Sequence, residues 1–431
     1  MRFLIGVLVL IIGLLIAVAL HELGHLLPAK RFGVKVPQYF VGFGPTLWSK
    51  QVGDTEYGIK AIPLGGFVRL AAMLYPGSPG RKQVRKSGQL TWAEEARRAS
   101  AEELSPDEEN RAFWQLPAWK KFIVMFSGPF VNLLLSIVCM AVVLVGIGQA
   151  VPSNTLSYVS ECVTLEDECR ASDPVSPAQE AGLQAGDTIV EWEGTPISNW
   201  DELAKAIAAT ESESTQVVIE REGKQQTLTI HPTILERPVY GKDGTVLLDE
   251  DGKEKTSATP YIGVSAGYKL ERQPLSSVGP AIANLAKGTA AIVVRLPVEV
   301  WNTARSIVTS EDRTGGVVSV VGVADMAGQI TSNDMSQYST QLRIADLLSL
   351  LASLNMALFI FNLIPLLPLD GGHMLGAILE GIRNTWARVR GKEKPAPFDT
   401  ARFIGLSYVV AGAFLVMTVI LVLADIVNPV F

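Results

Sequence analysis

From Phe3 to Leu27 the chain reads FLIGVLVLIIGLLIAVALHELGHLL. An apolar run of that length crosses a hydrocarbon core of about 30 Å, for which about 20 residues suffice. It ends, however, in three ionisable side chains, His21, Glu22 and His25. Ionisable groups in an apolar helix are expensive, and those that occur mark function. The run also follows Met1-Arg2 and passes through Ala17-Val18-Ala19, the outline of a cleavable signal peptide. A signal peptide keeps its positive end inside, whereas here one Arg2 precedes the run and Lys30, Arg31 and Lys35 follow it. Retention as a membrane helix is therefore expected.

Three further segments have the same character: Phe122 to Gly146, Ala345 to Leu367 and Phe403 to Val427. Across 431 residues, 48% are apolar and 19% charged, against roughly a quarter charged in ordinary soluble domains. A disordered chain is excluded, and a polytopic α-helical membrane protein with four transmembrane helices is expected. The net charge of −6 comes without a basic stripe, so no nucleic acid is expected as a partner. The loop from 30 to 121 carries 15 Lys and Arg, and the loop from 368 to 402 carries 6. The region 151 to 340 has 14 against 27 acidic residues. Excess Lys and Arg mark cytoplasmic loops, while long domains translocate largely regardless of charge. Both termini and the acidic region are then extracytoplasmic. Ala281 to Pro297 is apolar too, but Lys287 and Arg295 interrupt it, and residues 271–340 read as amphipathic helices at the interface.

His21 and His25 are two of only four histidines. At i and i+4 they share one helical face, a turn apart. That separation lets two imidazoles reach one zinc at about 2.0 to 2.1 Å, with Glu22 beside it as a general base. A third protein ligand is still required if one position is left for water. Asp370 and His373, in NLIPLLPLDGGH from Asn362, are the candidates at comparable depth. The first and third spans both run from outside to inside, so their C-terminal ends meet at one level. Pro365 and Pro368 break the third helix, because proline lacks an N–H and clashes with the preceding turn. Freed backbone within a membrane must line protein or water. Asp370 is preferred, since a carboxylate completes many catalytic two-histidine sites.

HELGH in a first membrane helix, with Asn362-x-x-Pro365-x-x-x-x-Asp370-Gly371 in a later one, resembles the site-2 proteases, intramembrane zinc enzymes, and most nearly the bacterial regulator-of-sigma-E-protease type. The resemblance covers nearly the whole chain. It implies Zn2+ held by His21, His25 and Asp370, Glu22 as the catalytic acid/base, and Asn362 contacting substrate backbone. It also implies single-pass membrane substrates, such as anti-sigma factors or remnant signal peptides, already trimmed by another protease. Residues 36–70 alternate in short segments between Gly-Pro, Gly-Asp and Gly-Gly turns and read as a membrane-associated β-hairpin or meander. Gly42, Phe43 and Gly44 in it match a substrate-side motif of the family. Ser127-Gly128-Pro129 and Asn132 match the family's second-span pattern, where Asn132 alternatively bonds a neighbouring helix. The segment 77–118 reads as a charged loop or surface helix.

Residues 151–270 resemble an inserted α+β PDZ-like domain. The run from Ser176 through Gly182 and Gly186-Asp187 carries the likeness, and Tyr261, Ile262, Gly263 and Val264 match its peptide-binding loop. Cys162 and Cys169 lie in this domain, where a disulfide and free thiols remain open alternatives; Cys139 reads as packing. A metal transporter built on the same histidines lacks a repeat architecture. A catalytically silent peptide-binding scaffold leaves Glu22 without a purpose. The expected place of work is the bacterial cytoplasmic membrane, with the site near its inner face.

Overall fold

The computed structural model describes residues 2–77, 83–85, 87–164, 169–170, 172–238, 256–309, 313, 317–332 and 339–428. Parts of the charged loop, of the 151–270 domain and of the 271–340 stretch lie outside the described residues. In chain order the first elements are α1 (Arg2–Arg31), β1 (Gln38–Val52), β2 (Thr55–Arg69), α2 (Trp92–Ala101), α3 (Ala118–Ala141) and β3 (Gln149–Val159). Next come α4 (Pro177–Glu180), β4 (Thr188–Trp192), β5 (Thr195–Pro196), α5 (Trp200–Ala208), β6 (Thr215–Arg221) and β7 (Lys224–Ile230). β8 (Thr233–Pro238), β9 (Thr256–Tyr261) and β10 (Val264–Glu271) precede α6 (Val278–Thr309) and α7 (Val320–Ser332). α8 (Thr340–Leu363), α9 (Asp370–Val389) and α10 (Ile404–Val427) close the sequence. The chain forms two compact units, one from the segments up to Gly146 and after Pro274, the other centred on Ile147–Gln273.

Five helices of the first unit are long and apolar enough to cross a membrane. Four are the expected spans: α1, α3 with its continuation to Ile147, α8 and α10. The fifth, Leu275–Ile307, falls where amphipathic interfacial helices were expected. It overlaps α6, one continuous 32-residue helix that includes Lys287, Arg295 and Pro297. Glycines let the helices approach closely. A Cβ on Gly24 of α1 would lie 2.6 Å from the Ser127 carbonyl of α3, and one on Gly6 would lie 2.1 Å from the Ala327 carbonyl of α7. Leu10, Ala327 and Leu347 form a small buried cluster where α1, α7 and α8 meet.

α8 stops at Leu363, before Pro365, and α9 starts at Asp370. The turn between them is tight enough to need glycine: a Cβ on Gly371 would lie 2.2 Å from the Ile364 carbonyl. The expected meander takes the form of two long, bent strands. Gln38–Val41 of β1 pair with Arg69–Gly66 on one side and with Glu56–Ile59 on the other, while Trp48–Val52 fold back on Ile59–Thr55. The charged loop contributes α2, whose Thr91 caps Glu94 N–H and whose buried Arg97 reaches Asp399 at 2.6 Å. Just past α1, Lys35 pairs with Glu108 at 2.5 Å and lowers that carboxyl below its ordinary value.

The second unit is a sheet in the order β10-β3-β4-β6-β7, with β5 on β4 and a separate β8-β9 pair. Leu156, Ile189, Trp192, Leu203, Val217 and Ile219 fill its core. Ser176 caps α4, and Gly182 and Gly186 take positive φ at the following turns. Asp187 holds the Arg221 guanidinium through two 2.7 Å bonds, which raises the arginine's already high pKa. Cys162 and Cys169 are joined in a disulfide.

One buried ion pair ties α3 to α9: Lys121 Nζ donates to Glu380 at 2.8 Å, and both side chains are nearly inaccessible. Breaking a buried pair from one side strands the other charge, at a cost of about 3 to 5 kcal/mol. Lys121→Met should therefore lower the thermal midpoint of the detergent-solubilised protein markedly, and Lys121→Met with Glu380→Gln should recover most of the loss. A double variant no more stable than Lys121→Met would show that no stranded charge carries the loss.

Candidate metal centre

α1 delivers His21 and His25 on one face, and the break after α8 delivers Asp370 at the first turn of α9. His25 Nε2 lies 3.2 Å from His21 Nε2 and 3.3 Å from Asp370 Oδ2, and His21 Nε2 lies 3.4 Å from the same oxygen. A tetrahedral zinc with ligands at about 2.0 to 2.1 Å requires ligand atoms about 3.3 to 3.4 Å apart. These are the three groups among the described residues whose donor atoms cluster as a metal set.

The hydrogen bonds behind the ligands set their chemistry. His25 donates from Nδ1 to the Val124 carbonyl at 2.7 Å, which leaves an Nε2 lone pair facing the cluster. The Asn132 amide of α3 lies 3.1 Å from His21 Nδ1, and the Asn132 oxygen is buried without a donor. A half-turn of that amide lets the oxygen accept Nδ1–H, and His21 Nε2 then also presents a lone pair. Asp370 Oδ2 is itself buried without a hydrogen-bond donor. Three buried acceptors that converge with no proton to share among them suit a cation, so the residues present fit zinc.

Gly128 of α3 completes the floor. A Cβ there would lie 2.1 Å from His25 Nε2, so the family-like Ser127-Gly128-Pro129 run makes space for the imidazole. Around the centre is a cavity of about 400 Å³, lined by Glu22, Asn132, Asn362, His373 and the Gly65-Gly66 corner of β2 among others. Glu22 sits against that corner: a Cβ on Gly66 would lie 3.4 Å from its Cγ. Glu22 and Asn362 thus line the same cavity as the three clustered groups. His373 shares the cavity but is not one of the three clustered groups.

The motif Gly42-Phe43-Gly44 lies elsewhere on the strand pair. These residues do not line the cavity; Gly65, Gly66 and Val68 of β2 do. Phe43 is 45% exposed and stacks on Phe67 at 6.2 Å, and both flanking glycines have positive φ. The strand pair therefore turns its Gly65-Gly66 corner to the candidate centre. In the second unit, Ile262 and Gly263 lie between Tyr261, the last residue of β9, and Val264, the first of β10. The Ile262 and Gly263 carbonyls accept from Ala178 and Ser160 N–H, and Gly263 has positive φ. β10 pairs on one side with β3 and ends the sheet path.

The model of peptidase family M50 matches residues 9–401. The chain belongs to that family, the site-2 proteases. It is 32% identical over 449 residues to a protein of Mycobacterium tuberculosis named zinc metalloprotease Rip1, covering all of this chain and 99% of the relative. The Mycolicibacterium smegmatis protein of the same name is 30% identical over 443 residues, again with 100% and 99% covered. Metalloprotease MmpA of Caulobacter vibrioides is 28% identical over 397 residues, 88% of each chain. The family's peptidase chemistry and the HELGH–Asp370 cluster agree.

Asn132 is the site residue whose role the sequence left open. Outer partners of ligating histidines typically contribute 10- to 100-fold to metal affinity. Asn132→Leu is expected to weaken zinc binding by about that factor in competition with a chelator while the unfolding midpoint stays near that of the parent. Unchanged affinity would reduce Asn132 to a packing residue.

Proposed function

We propose that this chain is an intramembrane zinc metalloprotease that cleaves single-pass membrane proteins. The observation that carries the reading is the convergence of His21 Nε2, His25 Nε2 and Asp370 Oδ2 beside Glu22 at the end of a membrane helix. His21, His25 and Asp370 would hold the zinc, which would supply Lewis acidity toward a water and a substrate carbonyl. Glu22 takes the proton of the attacking water and returns it to the leaving nitrogen. Asn362, across the cavity, supplies an amide that bonds the substrate backbone. Val124 and Asn132 hold the two imidazoles so that their Nε2 atoms stay directed at the centre.

A helical substrate hides each carbonyl in a backbone hydrogen bond, so the segment to be cut must first unwind. The Gly66–Arg69 stretch of β2 pairs with Gln38–Val41 and borders the cavity. An extended substrate segment added along that stretch gains main-chain hydrogen bonds while its carbonyl faces the metal. The substrates are membrane proteins shortened beforehand on the outer side, anti-sigma factors and remnant signal peptides among them. The second unit is a PDZ-like domain that selects them through its Tyr261–Val264 loop.

Four crossings are favoured over five by chain direction. The ends of α1 and α8 line one cavity, so the two helices run the same way and an even number of crossings separates α3 from α8. At 13 residues α7 spans about 20 Å, too short to return a crossing made by α6. Arg313, just beyond α6, also reaches Asp425 near the far end of α10 at 2.7 Å. The basic loops then face the cytoplasm of a bacterium, and the second unit and both termini lie outside.

The discriminating experiment combines zinc content with cleavage of a membrane-embedded reporter. Glu22→Gln should keep its zinc and lose cleavage by several orders of magnitude, whereas Asp370→Asn should lose zinc and His373→Ala should not. Undiminished cleavage by Glu22→Gln would end the proposal, and zinc loss from His373→Ala alone would replace the third ligand.

A further inference from the structure

α9 has an outward face that the catalytic reading leaves unexplained. Leu375, Ile378, Ile382, Trp386 and Val389 recur every three or four residues and are 38%, 45%, 59%, 59% and 79% exposed. The opposite face is occupied: Met374, Ala377, Glu380 and Ala387 are buried. Both acids of α9 are already engaged, Asp370 at the metal centre and Glu380 with Lys121. The exposed charges along it are therefore basic, Arg383 and Arg388, followed by Arg390, Lys392 and Lys394 with one acid, Glu393. Arg390 packs over the Trp386 ring at 4.2 Å.

Two contacts fix the level at which this helix runs. A Cβ on Gly381 would touch the Cβ of Ala118, the first residue of α3, at 3.6 Å. One on Gly376 would meet Thr400, where the candidate span containing α10 begins, at 2.8 Å. The middle of α9 therefore lies where two membrane helices start, not in free solvent. Aromatic side chains mark the same level: Trp119 near the start of α3, and Trp92 edge-on to Tyr408 near the start of α10. Beside the stripe, Leu367, Leu375, Leu379, Phe398, Phe403 and Leu406 line an apolar groove of about 130 Å³.

We propose that α9 lies along the membrane surface with its apolar stripe sunk into the lipid, and that Arg383, Arg388 and Arg390 bind anionic phospholipid headgroups. An apolar stripe edged by arginines and carrying a tryptophan is the pattern of a helix that beds into the boundary between headgroups and acyl chains. Arginine on an indole face keeps its charge available at that boundary. The adjoining groove takes an acyl chain of a bound lipid. The helix that begins with Asp370 is thus held from outside by lipid as well as from inside by Glu380. This inference rests on reading α3 and α10 as spans, and it does not require the protease reading.

The test uses the full chain in nanodiscs of phosphatidylcholine with phosphatidylglycerol. In a Cys139→Ala background, nitroxides are placed singly through Ile382→Cys, Val389→Cys, Thr385→Cys and Arg388→Cys. Labels at 382 and 389 should collide more with oxygen than with a water-soluble nickel chelate, and labels at 385 and 388 should show the reverse. Because a cysteine variant can misfold, quenching of Trp386 by brominated phosphatidylcholine, read as the difference from Trp386→Phe, measures the same burial with the cysteines intact. Stripe labels open to the chelate, or shielded from both quenchers as beneath a second copy of the chain, would overturn the proposal. Phosphatidylglycerol should be enriched among lipids retained by the parent and fall to the bulk proportion in Arg383→Gln/Arg388→Gln/Arg390→Gln. Equal enrichment in parent and variant would overturn the headgroup assignment.

Discussion

Three electron pairs that face one another across 3.2 to 3.4 Å, inside a helical membrane unit, are the constraint on which the rest of this structure depends. Left to themselves they repel, and no hydrogen-bond donor reaches Asp370 Oδ2. The fold must therefore hold each from behind. The Val124 carbonyl turns His25, the Asn132 amide turns His21, and the first turn of α9 presents Asp370. α3 supplies two of these three supports, which explains why it meets α1 at Gly24 and Gly128 with no room for a side chain at either glycine.

The second constraint comes from the bilayer. Backbone freed from a helix inside lipid has to line protein or water, and between Leu363 and Asp370 this chain frees it. That break is bounded by the tightly packed Gly371, and it opens on the same cavity as Asn362 and Glu22. The interruption that places the third ligand thus also opens a wet space beside it. A catalytic position and a route for water come from one feature of the sequence.

Much of this was legible in the residues themselves. The i, i+4 histidines are a local pattern, and the end of α8 follows from proline chemistry. Asp370 was reached because two spans in the same direction must finish at the same level. The Ser176 cap is equally local. What escaped is long-range. Which glycine corner of the β1–β2 pair meets the metal depends on how two bent strands fold back on each other, and Gly42–Gly44 and Gly65–Gly66 look alike in one dimension. The partner of Asn132 depends on the rotation of α3 against α1. α6 stands at the margin of any hydropathy reading, because Lys287 and Arg295 interrupt its apolar run.

The most direct test of the central claim is X-ray absorption at the zinc edge of the full-length protein carrying one equivalent of zinc. The account predicts a nearest shell of nitrogen and oxygen at about 2.0 to 2.1 Å, with outer-shell scattering from two imidazoles. A sulfur shell at about 2.3 Å, or scattering from three imidazoles, would contradict a site built from His21, His25 and Asp370.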